Sequence, residues 1–305
     1  MNKYKLIGHN YTLENLINLY KSNNFPSKIL LSGKKGIGKS LLVSHLLNYI
    51  YSIDEELGYD IKNFEINTTN KTYLLLENNS HPNVLKIFKK KDKKNIEISQ
   101  IREIIKFQNH SSFNNKIKFI IVDDVEYMNL NSTNALLKSI EEPNNKVHFI
   151  LINNSEKFIT DTLKSRCLEF KLFLKYDEIK LIVNSFYDID MYNNISNDFL
   201  NHYNSPSFLI SLVDFFKNNN LDLVNITIEN FLYEIIKNKY YDKDKFINDN
   251  LSYFIELYFY KHINLSRKVT FRVKEYFYLK LSLIKKYNLD LESFFLEFKE
   301  KLLRE

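Results

Sequence analysis

Cysteine, proline and glycine are all scarce in this 305-residue chain, which has one, four and five of them respectively. The lone Cys167 excludes an internal disulfide and any zinc module built on four cysteines. His9, His45, His81, His110 and His148 show no ligand spacing, so no zinc is expected. Long hydrophobic runs are also missing. Phe119-Ile120-Ile121-Val122 is far too short to cross a bilayer, and no membrane partner is expected. The opening Met1-Asn2-Lys3-Tyr4-Lys5 leads into a polar segment without the apolar core of a signal peptide. These absences predict a soluble protein in a reducing, cytoplasmic setting. Neither sign of charge dominates: the net charge of +6 is compatible with nucleic acid but thinly spread. A hydrophobic content of 44% is ordinary for a globular chain, and the length allows two or three domains. Asn, Lys, Ile, Tyr and Phe abound, which reads as compositional drift rather than function. Against that drift, each retained glycine marks a backbone position that needs one.

The first half alternates strand and helix signals. Residues 28–31 form a short apolar run ending at a glycine loop, and residues 41–50 carry apolar side chains at helical spacing. Residues 84–88 read as a strand, and Ser99 as the N-cap of a helix bearing Ile101, Ile104 and Ile105. Residues 118–122 and 147–152 are buried strands, separated by a helix over 132–142 that Pro143 stops. Such alternation predicts a parallel sheet covered on both faces. After about residue 172 only helices are expected, over 177–186, 206–216 and 223–236, with Pro206 at a first-turn position. Leu291, Phe294, Phe295, Phe298 and Leu302 share one face of a last helix. Asn218-Asn219-Asn220 is a weak linker signal between two helical pieces.

Gly33-Lys34-Lys35-Gly36-Ile37-Gly38-Lys39-Ser40 matches G-x-x-x-x-G-K-[ST] between a strand and a helix, the context this phosphate loop requires. Glycines let successive N–H groups turn inward around phosphates, and the helix N-terminus adds a favourable dipole. Lys39 would place its charge on the β-phosphate of ATP or ADP and on the γ-phosphate of ATP, and Ser40 would hold Mg²⁺. The second element is Phe119-Ile120-Ile121-Val122-Asp123-Asp124, an apolar strand ending in two acids, of which Asp123 is the expected Mg²⁺ partner.

The residues that follow carry a resemblance. Asn134-Ala135-Leu136-Leu137-Lys138-Ser139-Ile140-Glu141-Glu142-Pro143 resembles the NALLK-x-LEEP signature of clamp-loader AAA+ proteins, and Ser165-Arg166-Cys167 their Ser-Arg-Cys motif. Phe149 to Asn154 resembles the sensor-1 strand, with Asn153 or Asn154 at its polar end and Asn153 the preferred candidate. Ile7-Gly8-His9, Phe25-Pro26, His81-Pro82-Asn83 and residues 98–102 are also similar, in order, over about residues 6–172.

The resemblance implies an α/β P-loop (AAA+) parallel-sheet domain over 1–172, a helical lid over 173–218 and an all-helical collar domain over 219–305. It implies ATP or ADP with Mg²⁺ as cofactor. Other clamp-loader subunits, motor and delta-like, would be partners, and through the assembly a sliding clamp and primer-template DNA. Within the family, several departures favour the delta-prime branch over the gamma or tau ATPase motors. Asp124 stands where the motors carry a catalytic Glu, and a carboxylate one methylene shorter is poorly placed to polarise water. Asn204-Ser205-Pro206-Ser207-Phe208 has no arginine where the motors hold their sensor-2 arginine. The motors' zinc module and a tau-like extension after residue 305 are absent. The implied chain binds nucleotide, turns it over weakly and supplies Arg166 to a neighbour's site.

A motor subunit of the same loader is the alternative, and a free-standing P-loop nucleotide kinase a more distant one. Glu126 reads as a solvated acid at a helix start rather than a substitute base. The run Lys89-Lys90-Lys91-Asp92-Lys93-Lys94 reads as a solvated loop, and the late Phe and Tyr residues as core and subunit packing. Stable subunit contact is expected of the stripes after residue 219, such as Leu291 to Leu302.

Overall fold

A computed structural model describes residues 4–90, 93–141, 146–187, 189–262, 271–287 and 289–303. Glu142 and Pro143, the expected helix stop, and Lys91 and Asp92 of the basic run lie outside the described residues. The chain divides into two compact units, Met1–Asp188 with Ser205–Ser207, and Ile189–Asn204 with Phe208–Glu305.

The first unit holds a parallel sheet of β1 (Lys28–Ser32), β2 (Val84–Ile87), β3 (Lys118–Val122), β4 (Val147–Asn153) and β5 (Leu168–Lys171). The order across the sheet is β2-β3-β4-β1-β5. Helices α1 (Asn10–Lys21), α2 (Lys39–Tyr51), α3 (Lys71–Glu77), α4 (Ile98–Asn109), α5 (Leu130–Glu141), α6 (Asp161–Lys164) and α7 (Tyr176–Tyr187) accompany it. The central strands are continuous apolar runs because both faces are covered: Phe119, Ile120 and Val122 are fully buried, as are Phe149 and Leu151. Ile101 and Ile104 of α4 and Leu136 and Ile140 of α5 pack into the same core. Register aligns Ser32 of β1 with Asn153 of β4 and with Lys171 of β5, while Val122 of β3 pairs with Leu151 and Ile87. The strands therefore finish on one edge, and the segments that follow them meet there.

Lys118, although inside the buried run, is satisfied. Its ammonium donates to the carbonyls of Phe107 and, at 2.7 Å, of His110 at the end of α4, where the helix dipole favours a cation.

Several boundaries differ from expectation. The N-cap of α4 is Glu97, not Ser99: its side chain accepts from the Gln100 backbone, and its own N–H donates to Gln100 Oε1 at 3.1 Å. Helix α5 starts at Leu130, two residues early, with Asn129 Oδ1 accepting from Ser132 N–H at 2.8 Å. Strand β5 gave no signal because an edge strand of four residues, Leu-Glu-Phe-Lys, is half exposed and breaks the apolar run.

The second unit is helical among the described residues. It contains α8 (Asn197–Leu200), most of α9 (Pro206–Asn218), α10 (Ile228–Lys237), α11 (Tyr240–Lys243), α12 (Lys245–His262), α13 (Phe271–Tyr287) and α14 (Glu292–Phe298). Helix α10 begins at 228 rather than 223 because Asp222 Oδ1 takes the N–H groups of Val224 and Asn225 and Thr227 caps the helix. Asn218 to Asn220 closes α9: Asn219 N–H donates to Phe215 O at 3.2 Å and Leu221 N–H to Phe216 O at 3.0 Å. The rings on either side of this turn, Phe216 and Phe231, stack at 5.0 Å. Left-handed backbone falls on Asn23 after α1, Asn79 after α3 and Asn220 after α9, where glycine is the usual residue.

The stripe expected to carry subunit contact is consumed inside the unit. Phe294, Phe295 and Phe298 are buried, and Phe298 packs its ring against Tyr258, Phe259, Phe277 and Phe294. Among the described residues no helix is long and apolar enough to cross a membrane. Truncating Phe298 to Ala leaves a ring-sized cavity and is expected to destabilise the protein by about 3–5 kcal/mol. Urea unfolding measures this, and a loss under about 1 kcal/mol would mean the ring is not in the core.

Candidate functional site

The loop leaving β1 turns directly into α2. Gly36 and Gly38 have φ of +80° and +94°, conformations that side-chain-bearing residues rarely adopt. A β-carbon at Gly36 would also stand 2.6 Å from Ser207 Cβ and 2.8 Å from Ser205 Oγ. Around Gly38 the corresponding space is open for 4 Å, so the N-terminus of α2 faces room rather than protein. His9, the N-cap residue just before α1, supports the loop, its Nε2 2.8 Å from Ile37 O, and burial lowers its pKa. Its proximity to the loop could not be read from spacing.

Lys39, the first residue of α2, is only 3% exposed. Its ammonium donates to Gly33 O at 2.9 Å and Lys34 O at 2.8 Å, folding across the loop it belongs to. Burial lowers its pKa to about 8, against the opposing pull of Asp123, Glu126, Asp124 and Glu156. Beside it Ser40 Oγ donates to Asp123 Oδ2 at 2.5 Å, joining the loop to the end of β3 across 83 positions. The pair expected to hold Mg²⁺ is thus brought together.

Asp123 is further ordered by Asp124 N–H, which donates to its Oδ1 at 2.8 Å. Asp124 sits in the left-handed region at φ 57°, and its Oδ1 accepts from Asn154 Nδ2 at 3.0 Å. Burial, then the neighbouring Asp123, raises its pKa. The amide that meets the acids is Asn154's, which also approaches Asp123 Oδ1 at 3.4 Å. Asn153, the preferred candidate, does end β4, but its Oδ1 turns back to accept Ser155 N–H at 3.0 Å.

Glu126 is not a solvated acid. It is 5% exposed, and its Oε1 accepts from Asn154 N–H at 3.0 Å while Oε2 has no hydrogen-bond partner. Burial raises its pKa. Glu156 accepts from Lys35 Nζ at 3.1 Å and from Tyr127 OH at 2.7 Å, tying the phosphate loop to the segment after β4. Lys89 of the basic run lies 5.2 Å from the Tyr127 ring centre, on one ring with Lys157 at 4.1 Å.

Arg166 is not part of this cluster. Its guanidinium is taken by Glu141 and by Thr162 O.

This arrangement suits a phosphorylated ligand with Mg²⁺. The open space over Gly38 at a helix N-terminus fits a phosphate group. Hard oxygen donors on Ser40 and Asp123 fit a cation that keeps several waters and takes one or two protein ligands, so no cluster of three carboxylates is required. Among the described residues no group of three or more His, Cys, Asp and Glu side chains could hold a metal by itself.

Residues 8–174 match the family described as DNA polymerase III, delta subunit. The chain is 26% identical over 189 residues to the DNA polymerase III subunit gamma of Buchnera aphidicola subsp. Schizaphis graminum, covering 57% of this chain and 46% of that protein. It is 31% identical over 99 residues to the DNA polymerase III subunit delta-prime of Pseudomonas aeruginosa, covering 32% of this chain and 30% of that one. A solved DNA polymerase III gamma subunit-related protein of Thermotoga maritima shows a loose likeness, with a TM-score of 0.35 and 22% identity over 57% of this chain and 49% of that one. The chain thus spans less than half the length of these two curated relatives.

The buried amine sets a pH dependence. The folded pKa of Lys39 lies below its unfolded value of 10.5, so between about 8 and 10.5 the unfolded chain binds more protons and stability rises with pH. Lys39→Met removes the cost of burying the charge. In urea at pH 7 it should be more stable than wild type, with the gap closing from pH 8 upward. A gap that stays flat across that window would show that the amine is not held as described.

Proposed function

The chain belongs to the DNA polymerase III, delta subunit family, and from that membership we propose that it is a delta-prime-like subunit of the clamp loader of that polymerase. In this reading it joins motor and delta-like subunits in an assembly that opens a sliding clamp and places it on primer-template DNA in the cytoplasm. The nucleotide-binding domain over 1–172, the lid over 173–218 and the collar over 219–305 are parts of the same proposal, as are the absence of zinc and the role of Asn153 or Asn154 as sensor.

The observation that carries the nucleotide part is the 2.5 Å contact of Ser40 with Asp123 beside an open helix N-terminus. ATP or ADP would rest on residues Gly33 to Ser40, with Lys39 swinging from the Gly33 and Lys34 carbonyls to the phosphates. Mg²⁺, when bound, would neutralise phosphate charge beside Ser40 and Asp123. Weak turnover is supported by Asp124, whose carboxylate is engaged by Asn154 instead of standing free to orient water. Arg166 would act outside this chain, on the nucleotide of a neighbouring subunit, where a planar guanidinium stabilises charge on transferring phosphate. The motor reading is favoured by one observation, the similarity to a gamma subunit over 189 residues.

Calorimetry with MgATP is expected to show binding that Lys39→Ala weakens strongly. Because phosphates favour the charged amine and its free-state pKa is about 8, binding takes up a proton above that pH. The dissociation constant should then rise about tenfold per pH unit, and Lys39→Ala should flatten the profile. Absence of binding to the wild type would overturn the nucleotide proposal. The free chain should also turn ATP over well below about 1 s⁻¹, the lower edge of ordinary enzymes. A faster rate would replace the delta-prime reading with the motor one.

A further inference from the structure

Arg166 follows α6 on a connection whose backbone is fixed locally: its N–H donates to Leu163 O at 3.3 Å, and that of Cys167 to Lys164 O at 3.2 Å. A guanidinium has five N–H donors in one plane. Here Nε donates to Glu141 Oε1 at 2.7 Å, Nη2 lies 2.7 Å from the same oxygen, and Nη1 donates to Thr162 O at 2.9 Å. Among the described residues three donors are engaged, leaving one N–H on each terminal nitrogen for a further acceptor. The Arg166 side chain is 38% exposed and that of Glu141 47% exposed, so the remaining donors are within reach of a ligand.

We infer that Glu141 is a positioning residue for Arg166. It sets the plane of the guanidinium so that the two remaining N–H groups face a phosphate that belongs to another subunit. Glu141 lies on α5, whose backbone fixes where its carboxylate stands, and its charge draws the guanidinium. Thr162 O grips the opposite side, so rotation about the last torsions is checked from two directions. An exposed pair of this kind contributes little to folding, which leaves orientation as its main consequence. An arginine already ordered in the free chain loses less conformational freedom on meeting a phosphate. The inference rests on Arg166 acting on a neighbouring subunit's nucleotide, as proposed above.

The test is a double-mutant cycle in the complex reassembled with the subunits that co-purify with this chain, reading kcat and KM of DNA-stimulated ATP hydrolysis. Arg166→Ala should lower kcat, and Glu141→Ala should lower it on the order of tenfold or less with KM nearly unchanged. Glu141→Asp, which keeps the charge, should recover part of the loss. In the Arg166→Ala background Glu141→Ala should have no further effect, because it acts only through the guanidinium. Thermal melting of the free variants should match the wild type, which separates orientation from folding. If Arg166→Ala lowers kcat while Glu141→Ala does not, the positioning role is overturned and the function of Arg166 stands. Additive losses would likewise overturn it, since Glu141 would then act independently. If Arg166→Ala hydrolyses ATP like wild type, the trans-acting reading itself fails, and this inference with it.

Discussion

Parallel pairing of β1 with β4, and of β4 with β3, forces three strand ends onto one edge of the sheet, and the candidate site is what those ends deliver. The phosphate loop leaves β1, the two acids leave β3, and Asn154 leaves β4. No side chain has to reach far. Ser40 meets Asp123 because the loop from β1 turns into α2 at the edge where β3 ends, and Asn154 meets Asp124 because both directly follow neighbouring strands. A slip of one residue in either pairing would exchange side chains between the two covered faces, mismatching both cores, and separate these contacts together. Core packing and site geometry are therefore one constraint, held by fully buried residues such as Ile120, Phe149 and Leu151.

Within that frame the free site satisfies its own charges. Lys39 is folded onto loop carbonyls, Ser40 onto Asp123, and Lys35 onto Glu156. In the proposed function each is a group that the nucleotide recruits, so binding would exchange internal contacts for external ones. The net gain is smaller than the contacts to the ligand alone would suggest. Glu126 is different in kind. Its buried carboxylate holds the backbone of Asn154 and so fixes the amide that stands over the acids. It is a scaffold for the site, not a member of it.

Much of this was legible from the chain itself, for identifiable reasons. The phosphate loop and the strands before and after it announce themselves through glycine spacing and continuous apolar runs, signals produced by burial on both faces. What escaped depends on partners distant in sequence. Glu126 is buried by a turn that brings it under Asn154, 28 positions away, and Arg166 is held by Glu141 from 25 positions away. Local spacing carries no trace of either. Asn153 and Asn154 differ by a single step at a strand end, where direction alternates, and only the register decides which amide faces the acids. Strand β5 escaped because an edge position asks less of its residues than a central one. The stripe from Phe294 to Phe298 was visible as a stripe, yet periodicity says only that a face is covered. Here Tyr258, Phe259 and Phe277 of the same chain do the covering.

The left-handed turns also show where this backbone can do without glycine. Asparagine stands at Asn23, Asn79 and Asn220, where a helix ordinarily ends on glycine. Asparagine tolerates that backbone wherever its β-carbon meets only solvent. At Gly36 the same replacement would drive a carbon into Ser205 and Ser207, and at Gly38 it would project into the open space assigned to a phosphate in the proposed function. Glycine is thus dispensable at open turns, but not where the backbone presses against the rest of the chain, as at Gly36. What holds a glycine in place is crowding, at Gly8 against Leu174 and at Gly58 against Ser52 O as much as in the phosphate loop.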